Sequence, residues 1–348
     1  MYKILRKFLF KIGPETIHSI IVRMLKLSRF LPFSKCAMRS RFSYNDKSLE
    51  REVLGIKFKN PIGLAAGFDK HGEITNELAC FGFAFIEVGS VTPLPQPGSP
   101  RPRIFRLPLD NALINRMGMN NPGVARVVHN LRRHSRKRRL PIGGNIGKNT
   151  NTLNAQSPAD YEHCFALMYD HADYFAVNVS CPNVTNLTQL QDRDILEQII
   201  DRLINVRHTQ DVYKPILLKL SPDLNYTQID DILDLAIDKG IDGIVAVNTT
   251  VTREGMKTAA GKVEAIGQGG LSGAPLTQLA LDKVCYIHKK TEGKLPIIGV
   301  GGIMTPEDAV NMLDAGASLI QTYTGFIYNG PGFAKQILKQ LKANALHA

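Results

Sequence analysis

From residue 60 onward, short apolar runs rich in β-branched residues alternate with longer segments whose apolar positions recur three and four residues apart. The runs predict strands at 60–66, 83–89, 141–146, 174–179, 215–220, 243–248, 296–300 and 319–323. Helical patterns fill the intervals at 71–82, 121–134, 157–169, 191–208, 226–239, 275–289 and 305–315, and a last one covers 331–346. The strand runs are continuously apolar, as expected of strands covered on both faces. Strict β/α alternation through eight strands predicts a closed α/β barrel, (β/α)8, with a doubly wound open sheet as the alternative. Ser157-Pro158 and Thr305-Pro306 suit helix starts, and Gly240 suits a helix end.

Two stretches break this rhythm. Thr92 to Met119, rich in Pro, Gly and Arg, is too long for an ordinary barrel connection and predicts a functional lid or wall. Before the barrel, Ile4, Leu5, Phe8, Leu9 and Ile12 share one helical face while Lys3, Lys7 and Lys11 form a stripe on another. Gly13-Pro14 restarts the chain as a second helix with Ile17, Ile20, Ile21, Met24 and Leu25 apolar, which stops before Pro32. Residues 1–41 therefore form a separate two-helix amphipathic extension, and 42–348 the barrel domain. The extension reads as a membrane-surface hairpin; the competing reading docks it on the barrel bottom with its charges in water.

Charge sharpens that division. The formal net charge is +12, yet residues 1–41 hold ten Lys and Arg against Glu15 alone, and residues 132–139 add six more cations. The remainder is slightly acidic, so the barrel is not a nucleic-acid surface, and the 132–139 run lacks the interleaved aromatics such a surface uses. No apolar run is long enough to span a bilayer. Five widely spaced cysteines, Cys36, Cys80, Cys164, Cys181 and Cys285, fit neither a disulfide framework nor a C-x-x-C metal site and point to a reducing compartment without a bound metal.

Chemistry collects at the carboxyl ends of the predicted strands, the end where such barrels build their sites. Asn178-Val-Ser-Cys-Pro-Asn183 leaves the fourth strand with a thiol, a hydroxyl and two carboxamides together. Gly67, Asp69 and Lys70 follow the first strand, Ser90 the second, Asn145 lies in the third, and Asn248-Thr249 and Tyr323-Thr324 end the sixth and eighth. Gly267-Gln-Gly-Gly-Leu-Ser-Gly273 and Gly299-Val-Gly-Gly302 suit a phosphate near the last strands, and their spacing favours a mononucleotide over a dinucleotide. Lys219 is a cation inside the apolar run Leu217-Leu-Lys-Leu220 and requires an anion. The negative edge of a reduced flavin is one candidate; a barrel carboxylate such as Asp223 is the other.

Together these residues resemble the dihydroorotate dehydrogenase family, in particular its membrane-associated, quinone-reducing class 2. The resemblance spans the chain and rests on Asn60-Pro-Ile-Gly-Leu-Ala-Ala-Gly-Phe-Asp-Lys70, Arg101-Pro-Arg-Ile-Phe-Arg-Leu107, Ile114-Asn-Arg-Met-Gly118, Asn145-Ile-Gly-Lys148 and Pro296-Ile-Ile-Gly-Val-Gly-Gly-Ile303. It implies a (β/α)8 TIM barrel that oxidises dihydroorotate to orotate in pyrimidine biosynthesis, with FMN as cofactor and a membrane quinone as final acceptor. FMN is then expected against Ala66, Gly67, Phe68, Asp69, Lys70, Ser90, Asn145, Asn178, Lys219, Val247, Gly273, Gly301, Gly302, Tyr323 and Thr324. Substrate is expected among Lys70, Asn115, Arg116, Met117, Gly118, Met119, Asn178, Asn183, Asn248 and Thr249. His18 and Arg106 would line a quinone tunnel.

The catalytic pair implied is Cys181, as the base that takes a proton from the substrate, and Lys219. Class 2 ordinarily places a serine where this chain has Cys181, and the wording Asn-x-Ser-Cys-Pro-Asn-Val is that of the soluble class 1 enzymes, which pass electrons to fumarate or NAD. The basic amphipathic extension and the arginine motif of the insert favour quinone. Localisation is then expected at the cytoplasmic side of the inner membrane, as a peripheral protein.

Overall fold

The computed structural model describes residues 2–135, 140–180 and 193–345. Three helices, α1 (Tyr2–Leu9), α2 (Pro14–Leu27) and α3 (Ser34–Phe42), lead into a hairpin of β1 (Arg51–Val53) and β2 (Ile56–Phe58). The barrel begins with β3 (Ile62–Leu64), α4 (Thr75–Leu78) and β4 (Phe85–Val91), then leaves for β5 (Ile104–Leu107) and β6 (Ala112–Asn115) of the insert. It resumes with α5 (Val124–Ser135), β7 (Ile142–Ile146), α6 (Ser157–Met168), β8 (Tyr174–Asn178), α7 (Arg193–His208), β9 (Ile216–Leu220) and α8 (Tyr226–Asp238). The chain ends with β10 (Gly243–Ala246), α9 (Ala260–Ile266), β11 (Gly270–Gly273), α10 (Thr277–Lys290), β12 (Ile297–Val300), α11 (Pro306–Asp314), β13 (Leu319–Thr322), α12 (Thr324–Asn329) and α13 (Phe333–Ala345).

Strands β3, β4, β7, β8, β9, β10, β12 and β13 pair in parallel, in that order, and β13 closes on β3. All eight lie on the runs read from sequence. Period-two alternation sorts each strand into a barrel-interior face and a face under the helices. Phe85, Tyr174, Leu217 and Leu319 point inward and are fully buried, and Phe58 of the hairpin packs edge-on against Phe85 at 5.2 Å, closing the bottom. Two residues farther up the same inward faces stand Glu87, Lys219 and Gln321. An apolar plug thus changes abruptly into a polar layer just below the carboxyl end.

The hairpin β1–β2 turns through Leu54 and Gly55, whose φ values of 60° and 71° give the left-handed turn that matches strand twist. Its strands were absent from the sequence reading because Leu-Gly is a weak turn signal. The insert is a wall: β5 and β6 form an antiparallel sheet completed by β11, with Asn115 opposite both Ile104 and Gly270. Asp110, at the β5–β6 turn, accepts bonds from the Lys257 and Thr258 amides at 2.5 and 3.2 Å, pinning the segment before α9 to this sheet.

The amino-terminal helices do not sit on the barrel bottom. α1 and α2 dock at the opposite end, against the insert and the β3–α4 connection, while α3, a third helix beyond the two expected, packs beside the turn that follows α4, with Phe42 against Phe81. Tyr2 donates to the Ile327 carbonyl at 2.6 Å and Arg6 to that of Tyr328 at 2.8 Å, while Arg103 donates to both carboxylate oxygens of Glu15. Arg29 and Lys35 both pair with Glu77, whose side chain is only 1% exposed. The outer face of this module is apolar: Ile4, Phe8, Met24 and Leu27 are exposed, and Phe30 and Phe33 are 82% and 85% exposed. Among the described residues no helix is long and apolar enough to cross a membrane.

Candidate active site

A cavity open on one side occupies the carboxyl end of the barrel. Its lining includes Ala66, Gly67, Lys70, Ser90, Asn178, Lys219, Val247, Gly273, Gly301, Gly302, Tyr323 and Thr324 of the expected cofactor set. Asn115, Met117, Met119, Asn248 and Thr249 of the expected substrate set line the same space. Cys181 and Asn183 lie outside the described residues. Ile104 and Leu113 from the insert and Ser272 from β11 complete one side of it, so the insert expected as a lid or wall lies along the cavity as a wall.

A chain of polar side chains crosses the strand ends. Asn145 donates to Glu87 at 2.7 Å and accepts from the Ser90 hydroxyl; Asn178 donates to the Ser90 hydroxyl at 2.7 Å. Asn248 donates to Asn178 Oδ1 at 3.3 Å and to the Ser180 hydroxyl at 3.1 Å, and its own Oδ1 accepts the Thr249 amide at 2.8 Å. Each carboxamide is thereby oriented by its neighbour. Ser180, fully buried, was quoted in the motif but given no role in the sequence reading.

Lys219 corrects the expectation about its partner. Its Nζ lies 3.0 Å from Glu87 Oε1, and both side chains are buried. Asp223 instead accepts from Thr250 and from the Val251 amide, holding the loop beyond Thr249. The signal for Glu87 was present: an acid in Phe85-Ile-Glu-Val, two positions above an inward-facing aromatic, repeats the placing of Lys219 above Leu217.

Five expected residues fall away from the lining. Arg116 donates to the Ile266 and Pro102 carbonyls and stacks over Phe105 at 4.9 Å. It follows Asn115 at the end of β6, and strand alternation sends neighbours to opposite faces. Gly118, at φ 68°, packs on Ser99. Asp69 accepts the Glu73 and Ile74 amides at 2.9 Å each, closing the turn into α4, and burial raises its pKa. Phe68 packs against His18, Tyr323 and Phe326. Asn145 lies beneath the lining, bonded to Glu87 and Ser90.

Lys70 donates to Asn120 at 2.6 Å, a partner the motif did not reveal. Arg106 donates to the Phe10 and Ile12 carbonyls at 3.2 and 2.6 Å with its guanidinium 4.5 Å from the Phe10 ring, so it ties down the turn between α1 and α2. His18 meets the Phe68 ring edge-on at 5.0 Å. Burial, reinforced by the Lys70 and His71 charges against that of Glu15, lowers His18 to about 4. The folded state therefore binds fewer protons than the unfolded one between that value and the free imidazole's ~6.5, and stability falls as pH drops through this window. Thermal unfolding followed between these limits should show a decline that is shallower in His18→Phe; equal slopes would place the acid sensitivity elsewhere.

The cavity has unsatisfied capacity. Among the described residues, Gln321 Oε1 and Thr322 Oγ1 are buried without a hydrogen-bond partner, and both residues line it. A buried polar atom without a partner costs on the order of 1–3 kcal/mol, so a ligand carrying donors is what this lining lacks. At Gly302, φ is 70° and a Cβ would stand 2.1 Å from Thr277 Cα, so only glycine lets the β12 loop run this close to the start of α10. Beside it, the loop after β13 contributes Thr324 and Gly325. Main-chain amides from the loops after the seventh and eighth barrel strands form the usual phosphate cradle of this architecture.

Barrel, cavity and polar chain define an α/β barrel with an enzyme-like site at the carboxyl ends of its strands. Residues 48–345 match the family model described as dihydroorotate dehydrogenase, and the chain belongs to that family. A dihydroorotate dehydrogenase (quinone) of Christiangramia forsetii is 46% identical over 347 residues, covering 99% of this chain and 100% of that one. One of Thermosynechococcus vestitus is 49% identical, covering 87% and 84%. The crystal structure of ligand-free DHODH from Eimeria tenella superposes with a TM-score of 0.86 at 35% identity, covering 94% of each chain. A second Eimeria tenella structure, in complex with ferulenol, gives 0.85 at 34% identity over 96% and 92%. The alignment with the Christiangramia protein takes in nearly all the residues before 48, so the amino-terminal module belongs to what this chain shares with a quinone-designated relative. The chain stands with the quinone-dependent, class 2 members.

Proposed function

We propose that this chain oxidises (S)-dihydroorotate to orotate in pyrimidine biosynthesis, with FMN held in the barrel cavity and a membrane quinone as final electron acceptor. The observation that carries this reading is one cavity lined at once by the expected phosphate loops, the buried lysine and the asparagines of the substrate set. When bound, FMN supplies acceptance of a hydride and its onward passage as electrons to a quinone. The chain supplies the rest. Gly301, Gly302, Tyr323 and Thr324 would hold the phosphate, Lys219 would set a cation beside the negative edge of the ring, and the Gln321 and Thr322 oxygens, unpaired among the described residues, would accept hydrogen bonds from the ligand's polar rim.

For the substrate, Asn115, Asn178, Asn248 and Thr249 offer the paired donors and acceptors that a planar imide with a carboxylate requires, and Lys70 adds a positive charge. Cys181 serves as the base, by the resemblance of its motif. Fumarate or NAD as acceptor is less consistent with relatives that carry the quinone designation, one of which aligns over 99% of this chain and so takes in the amino-terminal module. Purified protein should be yellow, and anaerobic dihydroorotate should bleach it; a colourless protein, or a flavin that dihydroorotate leaves oxidised, would overturn the assignment.

The amino-terminal module is the natural route for quinone, standing between the cavity end of the barrel and an exposed apolar face. It would attach the protein peripherally to the inner membrane, on the cytoplasmic side, with basic residues contributing about 1 kcal/mol each at an anionic surface. Phe30→Ser combined with Phe33→Asn, the latter suited to the left-handed φ of 62° there, alters no buried contact. Two phenylalanines leaving the interface should weaken vesicle binding by about tenfold or more. Sedimentation with unchanged affinity would place the membrane contact elsewhere.

A further inference from the structure

Glu87 is completely buried, reaches no solvent, and is not part of the cavity lining. It nevertheless holds two residues that are. Its Oε1 accepts from Lys219 Nζ at 3.0 Å and from Asn145 at 2.7 Å; its Oε2 accepts from Gln321 Nε2 at 2.8 Å. Gln321 Nε2 also lies 3.5 Å from the Tyr174 hydroxyl, and burial together with the Glu87 charge keeps that phenol well above its ordinary pKa, hence protonated. Among the described residues, each hydrogen-bond partner of the carboxylate is a donor.

Two consequences follow for the cavity. An ionised carboxylate can only accept, so it turns the Gln321 amide with Nε2 toward itself and leaves Oε1 as the acceptor; that oxygen is the one without a partner. The same carboxylate balances the Lys219 cation, so the net charge presented at the cavity floor is smaller than a lone lysine would give.

We propose that Glu87 is a positioning residue for the cofactor cavity, acting from beneath its floor to fix the Gln321 amide as an acceptor and to moderate the Lys219 charge. It rests on the reading that FMN occupies this cavity. A flavin's pyrimidine ring offers an imide N–H to such an acceptor and gains negative charge beside such a cation on reduction, so both occupancy and redox balance should depend on Glu87.

The test uses purified full-length protein titrated with FMN and then examined by spectroelectrochemistry. Glu87→Gln removes the moderating charge and frees the Gln321 amide to turn. Reduced over oxidised flavin should then be favoured by about tenfold, read as a midpoint potential about 30 mV higher for a two-electron couple. Glu87→Asp keeps the charge but withdraws the carboxylate by one methylene. It should keep the potential near that of the unaltered protein while FMN binds about tenfold more weakly, equivalent to losing one good hydrogen bond. Should Glu87→Gln fail to fold, Glu87→Asp decides alone: unchanged FMN affinity overturns the inference. So does an unchanged potential in Glu87→Gln that has taken up flavin. An unaltered protein that binds no FMN overturns this inference and the flavin reading together, whereas a flavin-loaded Glu87→Gln of ordinary potential overturns only the role given to Glu87.

Discussion

Lys219→Met is expected to lower stability by about 3–5 kcal/mol and to leave the protein nearly free of flavin, because it strands the Glu87 carboxylate in the barrel without its cation. Methionine fills the volume of the lysine stem, so packing of β9 against β8 and β10 is retained and the loss is electrostatic. Asn145 and Gln321 still donate to Glu87, but neutral donors do not replace a buried counter-ion. Thermal denaturation and the flavin-to-protein absorbance ratio measure the two effects separately. The double substitution Lys219→Met with Glu87→Gln removes both charges and should recover most of the stability but not the flavin affinity. A Lys219→Met protein as stable as the parent would mean that the pair contributes nothing to folding.

Cys181→Ala is expected to slow flavin reduction by dihydroorotate about 10²-fold or more while leaving bound FMN in place, the usual scale for removing a general base. Anaerobic stopped-flow at the flavin absorbance isolates that half-reaction from reoxidation. A free thiol titrates near ~8.5, far below an alcohol, so Cys181→Ser should retain part of the rate only at more alkaline pH. Near-normal reduction in Cys181→Ala would remove the thiol from the mechanism.

How far the chain could be read in advance depended on how local the controlling physics was. Parallel barrel strands are buried on both faces, so Tyr174–Asn178 and Ile216–Leu220 stand out as unbroken apolar runs, and the helices between them carry caps such as the Thr305–Asp308 capping box. Elements outside that rhythm were harder. β5, β6 and β11 are four residues each, and β11 joins from more than 150 positions away, so its pairing with β6 leaves no local pattern. α9 and α12 are similarly short, and the glycine-rich wording around them read as loop. Among the expected residues, those carried by strand ends and glycine loops meet at one cavity because their neighbours in sequence are also their neighbours in space. Glu87, Gln321 and Asn120 were missed because their partners stand on other elements: Lys219 for Glu87, Glu87 for Gln321 and Lys70 for Asn120. The Arg116 side chain turns away from the cavity because its motif fixes its position but not the face of β6 it takes. For Lys219, the need for an anion was legible, whereas the choice between Asp223 and Glu87 required barrel register.

The central claim is the pairing of dihydroorotate oxidation with quinone. Steady-state turnover of dihydroorotate by the full chain, with a soluble quinone analogue, fumarate or NAD supplied as the sole acceptor, tests it most directly. Orotate should form rapidly with the quinone and at background rates with the other two; turnover with fumarate or NAD that matches or exceeds the quinone rate would contradict the assignment and make the class 1 wording around Cys181 the better guide to the acceptor.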